Sequence, residues 1–126
     1  MKETINKFKF KDKGIVINAP TNLEAEFVKL GFSTKFKVNE LSKNTLVFIN
    51  NSKEFLSFLG TDLKDVEPDS VLWFAYPKGT SKIKTDINRD TLRKTGEEFG
   101  ITAVAAISID NIWSALRFRP IDRVEK

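Results

Sequence analysis

The sequence predicts an α/β fold: a three-layer sandwich whose sheet is mainly parallel and is closed by a C-terminal antiparallel hairpin. Three observations carry this. β-rich runs alternate with amphipathic helical segments, "VLWFAY" at residues 71–76 is apolar or aromatic at every position, and Asp110-Asn111 separates two β-rich runs near the end of the chain. Alternation builds strand–helix–strand units, a run without polar positions is buried on both faces as in a central strand, and two turn-forming residues between strands mark a hairpin. A ferredoxin-like α+β sandwich is the alternative arrangement of the same elements.

Residues 1–9 show no clear period and read as a flexible leader, with Phe8 and Phe10 alternating against lysines as a short edge strand at most. "IVINAP" after Gly14 reads as a buried strand ending at Asn18 and Ala19. Thr21 and Glu24 have capping-box spacing, Leu23, Phe27 and Leu30 share a helical face, and Gly31 supplies a left-handed stop. Phe32, Thr34, Phe36 and Val38 alternate with polar residues, the pattern of a half-buried strand near a sheet edge. "TLVFIN" is a further strand, and Ser52 reads as the N-cap of a helix bearing Phe55, Leu56 and Leu59 and ending at Gly60. Pro68 and Asp69 read as a break before "VLWFAY". Thr85 or Asp86 then caps a helix from about Ile87 to Phe99, with Gly96 allowing close approach to the sheet and Gly100 as terminator.

A chain of 126 residues is the length of one ordinary domain, and its longest apolar run is far too short to span a bilayer. The N-terminus lacks the apolar core of an export signal, so the expected compartment is the cytoplasm. The chain contains no Cys and no His. That removes disulfides, thiolate nucleophiles, Ser-His-Asp and Cys-His arrangements and the usual zinc ligand sets. Acid–base work would fall to a carboxylate, Lys or Tyr with a shifted pKa. No cofactor is implied by any motif, and neither is catalysis.

The formal charge of +4 is unevenly spread. Five Lys against two acids lie in residues 1–14, six bases against two acids in 77–94, and four bases against two acids in 117–126, while the segments between are acidic. Such a distribution permits an anionic partner, although clustered Lys is also what a solvated face looks like. Interleaved Lys and Phe in "KFKFKDK" suit a nucleic acid, yet no continuous basic groove with several stacking aromatics is evident, so that partner is disfavoured.

Open α/β sheets hold ligands outside the carboxyl ends of their strands, where helix N-termini converge. Tyr76 and Lys78 lie at such an end, and the helix after them directs backbone N–H groups back toward it, a geometry suited to phosphate or carboxylate. Lys78, Lys82, Lys84 and Arg89 add charge, with Arg the better anchor because its planar fork holds two oxygens. The structural alternative for Asp86 is a helix cap paired with Arg89. In the last strand, Trp113, Ala115, Arg117 and Arg119 share one face, with Ser114, Leu116 and Phe118 on the other. Trp113, Ser114 and Arg117 are candidates for a pocket wall or partner surface; the alternative lays Arg117 over Trp113 as a cation–π pair. Ser114 has no His to activate it as a nucleophile.

The segments "YPKGTSKIKTDINRD" and "ISIDNIWSALRFRP" resemble those of a family of small bacterial proteins known only as a domain of unknown function. The resemblance rests on Tyr76-Pro77-Lys78, on Lys84, Asp86 and Arg89, and on Trp113 to Phe118, and "GIVINAP" is a weaker match. It implies no activity. The layout of elements is also similar to a trimmed methyltransferase-type Rossmann fold, which implies S-adenosylmethionine bound by a Gly-rich turn after the first strand. This chain has Asn18-Ala19-Pro20-Thr21 there and contains no GxGxG or GxGxxG. The favoured expectation is therefore a non-catalytic binding module for a small anionic or nucleotide-like ligand, held by Tyr76, Lys78, Lys84, Asp86, Arg89, Trp113, Ser114 and Arg117. A protein-interaction domain using the Trp/Arg hairpin comes second, and a divergent methyltransferase-like enzyme third.

Overall fold

The computed structural model describes residues 2–81 and 83–124, the side chains of residues 2 and 3 excepted. The elements run α1 (Lys2–Lys7), β1 (Ile15–Ile17), α2 (Thr21–Lys29), β2 (Ser42–Phe48), α3 (Ser52–Thr61), a 3-10 turn (Leu63–Asp65), β3 (Val66–Pro77), α4 (Arg89–Glu98), β4 (Ile101–Ser108), β5 (Trp113–Pro120) and a last 3-10 turn (Ile121–Arg123). Among the described residues no helix is long and apolar enough to cross a membrane.

The five strands stand in the order β1-β2-β3-β5-β4. β1, β2 and β3 are mutually parallel, while β5 runs antiparallel to both of its neighbours. β3 is thus the middle strand, as its lack of polar positions predicts. Its side chains divide by parity: Leu72, Phe74 and Tyr76 join Phe55, Phe58, Leu59 and Leu92 under α3 and α4, whereas Val71, Trp73 and Ala75 join Leu23, Phe27 and Phe8 under α2 and α1. Edge-to-face contacts knit both layers, Phe74 to Phe118 at 5.4 Å and Phe55 to Phe74 at 4.9 Å on one side, Phe8 to Trp73 at 5.4 Å on the other. The class is an α/β sandwich of Rossmann type with an antiparallel C-terminal hairpin.

Several local expectations are corrected. Residues 1–9, expected as a flexible leader, contribute α1 and a Phe8 that is 0 % exposed. The Phe8 carbonyl accepts the Trp73 indole N–H at 2.9 Å, which fixes this segment to the central strand. The strand expected over Phe32–Val38 is reduced to one parallel bridge between Ser33 and Ile15. Phe32 and Phe36, placed on one face by alternation, enter the two opposite core layers, and Val38 is 89 % exposed, so no common face rewards an extended run. Pro68 and Asp69 do not break the chain before β3. They lie inside it at a register shift, with Asp69 at φ 57°. Gly60 lies within α3 rather than ending it.

The helix caps also differ. α2 starts from Pro20 without a side-chain cap, because Thr21 is already helical and its hydroxyl is not at the capping position. Asn51, not Ser52, caps α3 by accepting from Glu54 N–H at 2.9 Å. Asn88, with Thr91 in return, forms the capping box of α4 in place of Thr85 or Asp86. Gly31 and Gly100 take the left-handed conformations expected of helix stops, at φ 95° and 86°. The hairpin turn occupies residues 109–112, closed by Asp110 Oδ1 accepting from the N–H groups of Ile112 and Trp113, both at 2.8 Å.

Candidate functional site

The carboxyl ends of β1, β2 and β3 form one rim, and the loop after β3 returns across it. Thr85 Oγ1 donates to the Asn50 carbonyl at 2.6 Å, and Asp86 accepts from Ser52 twice, from its N–H at Oδ1 and from its hydroxyl at Oδ2, each at 2.8 Å. Asp86 therefore sits at the amino end of α3, where backbone donors and the helix dipole favour negative charge. The Ser52 N–H and then its hydroxyl hold the Asp86 carboxyl below the ordinary aspartate value. The expected pairing of Asp86 with Arg89 is absent among the described residues.

The eight sequence-predicted residues separate into three groups. Tyr76 and Trp113 are core: Tyr76 is buried beside Ile87, and Trp113, 4 % exposed, packs edge-on against Phe48 at 5.1 Å. Lys78, Lys84, Asp86, Arg89 and Ser114 stand on or beside the rim. Lys78 N–H donates to the Ile112 carbonyl at 2.7 Å and its Nζ to Ser108 Oγ at 2.6 Å; Lys84 and Arg89 are exposed. Arg117 lies apart, paired with Trp73 four residues below Pro77. The proposed cation–π contact with Trp113 is not formed, because four residues along a strand separate the side chains by about 13 Å. Lys82 lies outside the described residues.

A crevice that the sequence did not reveal opens between the carboxyl ends of β1 and β2. From β1 the chain crosses one face through α2 and touches the outer side of β1 at Ser33; from β2 it leaves over the other face through α3. Connections that diverge to opposite faces leave a gap between the strands they serve, the usual ligand position in open α/β sheets. Here it is an open cavity of about 500 Å³ lined by apolar Ile17 and Phe58, by polar Asn18, Asn51, Glu54 and Ser57, and by the charged Lys53 and Asp62.

Glu54 organises the polar side. Its Oε1 accepts from Asn50 N–H at 2.8 Å, Asn50 Nδ2 at 3.1 Å and Asn18 Nδ2 at 3.3 Å, and Asn18 Nδ2 also reaches the Phe48 carbonyl at 3.0 Å. Asn18 adopts φ 60°, which Asn tolerates better than most residues. Among the described residues Glu54 Oε2, Asn18 Oδ1, Asn51 Nδ2 and Ser57 Oγ make no hydrogen bond, so the crevice offers both donors and acceptors. The one local signal was the pair of Asn residues before the α3 sequence; pairing them with Asn18 needs the sheet order. A larger hollow of about 590 Å³ lies near the amino end of β1, lined by Ile5, Asn6, Lys9 and Phe10, away from the converging helix N-termini. Phe8 and Phe10 there stack on each other at 5.3 Å, Phe8 fully buried and Phe10 half-buried.

Fold and crevice together define the class: a Rossmann-type domain with a crevice at its switch point. No protein-family model and no curated protein matches the chain. Solved structures that share the fold include the following two. One is the ribosomal protein L11 methylase from Lactobacillus delbrueckii subsp. bulgaricus, with TM-score 0.55 and 10 % identity over 93 % of this chain and 76 % of that one. The other is a SAM-dependent methyltransferase from Aquifex aeolicus, with TM-score 0.54 and 13 % identity over 93 % of this chain and 87 % of that one. The likeness establishes a methyltransferase-type Rossmann fold.

Proposed function

We propose that this protein is a non-catalytic binding module for a small nucleotide-like ligand at the carboxyl rim of its sheet. The nucleoside part occupies the β1–β2 crevice, and the anionic part extends toward the exposed Lys84 and Arg89 beyond β3. The observation that carries the reading is the crevice itself. Its volume falls in the range of small-molecule sites, and it combines an apolar floor with a few unengaged polar atoms of both hydrogen-bonding senses. Hydroxyl and base edges both donate and accept, which matches the unengaged atoms of Asn18, Asn51, Glu54 and Ser57. The phosphate is better served by the exposed cations of the loop beyond β3.

Methyl transfer is the second reading, favoured by the two solved structures of the same fold. The residues after β1 do not fit S-adenosylmethionine held as in a Gly-rich turn. Asn18 carries a side chain where close backbone approach is needed, and its amide is committed to Phe48 and Glu54. No step through that cofactor follows from this site.

The test is a ¹⁵N–¹H titration with adenosine, adenosine monophosphate and inorganic phosphate. Shifts at residues 17–18 and 48–57 with both adenosine compounds, joined by residues 78–89 only with the monophosphate, are expected. Glu54→Gln keeps Oε1 as the acceptor of the Asn18 and Asn50 donors while replacing the unengaged Oε2 with a donor. Loss of one hydrogen bond to a charged group predicts binding weakened about tenfold. Unmoved crevice resonances with every compound would rule the reading out.

A further inference from the structure

β4 is the outermost strand beside β5, so its outer row of backbone N–H and C=O groups faces no strand. Sheet edges are ordinarily blunted by Lys, Pro or inward-pointing charge, because an open row templates pairing with another chain. The run Thr102–Ser108 has none of these, and Val104, Ala105 and Ala106 are exposed. A bulge at Val104, a device that twists an edge strand, is its one protection, and it leaves Ala105–Ser108 regularly paired with β5.

Among the described residues, two cations without a carboxylate partner stand close to this edge. Arg117 stands opposite Ala105 on the same face of the sheet, half-buried, with only a methyl group between it and the edge. Its Nε is shielded from solvent yet has no acceptor. At the carboxyl end of the strand, Lys78 Nζ meets a hydroxyl, Ser108 Oγ, rather than a carboxylate. The neighbouring acids are already engaged: Glu97 with Arg93 and Thr102, Asp69 with Arg119, and Asp110 with the hairpin backbone. A second copy paired antiparallel about Ala105 would place Ala105, not a carboxylate, beside Ala105, because residues 102–108 contain no acid, and both Arg117 side chains would stay without an acceptor.

We propose that the β4 edge accepts an extended acidic segment of a partner protein as an added strand, with a carboxylate of that segment on Arg117. Main-chain hydrogen bonds along β4 supply affinity, and the Arg117 pairing supplies the preference for acid. This stands independently of the crevice ligand.

The test titrates the ¹⁵N-labelled full chain with a capped TVEVEVT peptide and with its TVKVKVT counterpart. The acidic peptide is expected to shift the amides of residues 102–108 and the Arg117 Nε–H resonance, and the basic peptide to leave them in place. Arg117→Gln, checked for an unchanged spectrum elsewhere, is expected to weaken the acidic peptide about threefold, the scale of a half-exposed ion pair. Equal binding of the two peptides, no shift with either, or sedimentation of the free chain as a dimer with protected β4 amides would each overturn the proposal.

Discussion

Replacing Phe8 by Ala tests whether the N-terminal segment belongs to the core. Phe8 is 0 % exposed, lies 5.3 Å from Phe10 and 5.4 Å from Trp73, and follows α1 directly. Truncating a buried Phe costs the lost transfer energy and the residual cavity, together about 3–5 kcal/mol. The indole of Trp73 donates to the Phe8 carbonyl, not to its ring, so that bond survives if the segment stays docked. If the segment detaches, a buried indole N–H loses its partner at about 1–3 kcal/mol more. The expected loss is therefore about 4 kcal/mol, a large part of the ~5–15 kcal/mol that holds a domain folded. At roughly 4 °C per kcal/mol for a chain of this size, Tm falls by about 16 °C. Urea unfolding followed by circular dichroism gives the free energy, and Trp fluorescence reports detachment. A flexible leader would give a change within about 0.5 kcal/mol, and a measured loss below 1 kcal/mol would refute the packing described.

Three further outcomes are expected. Gly96→Ala puts a methyl group 2.8 Å from the Phe118 ring and 3.2 Å from the Ile101 carbonyl. Overpacking of about 1–3 kcal/mol then offsets or outweighs the gain of about 1 kcal/mol in helix propensity, so chemical denaturation should find the variant no more stable than the parent. Asn51→Ala removes the α3 cap and is expected to cost about 1 kcal/mol in the same assay. The lowered pKa of Asp86 means that its contribution to stability is fully present above the ordinary aspartate value and is lost as pH falls through the folded-state value. The Tm difference between the parent and Asp86→Asn should therefore close on acidification, and a difference that stays constant with pH would show that the Ser52 contacts do not stabilise the ionised form.

Where each residue's environment follows from its neighbours in the chain, the sequence was readable. Val71–Tyr76 announces a doubly covered strand because no position along it tolerates water, and Gly31 and Gly100 announce helix ends because a left-handed conformation suits Gly. The rim position of Lys78 follows from the end of that strand. Caps were read one to three residues away from their true positions, since several adjacent Ser, Thr, Asn and Asp residues compete and only helix docking selects one. Asp86 illustrates the difference. Its sequence position suggests a cap for the helix that follows, whereas the fold brings it to the start of α3, more than thirty residues earlier.

The pattern of apolar residues by itself determined the layers, the central strand and the closing hairpin, because burial of one face or two is written in local periodicity. Tertiary structure decided the rest. It split Phe32 and Phe36 between opposite layers, sent Arg117 away from the rim, and drew Asn18, Asn50 and Glu54 together at the crevice. Those placements depend on which strands become neighbours, a consequence of how whole crossovers pack that no short stretch of chain encodes.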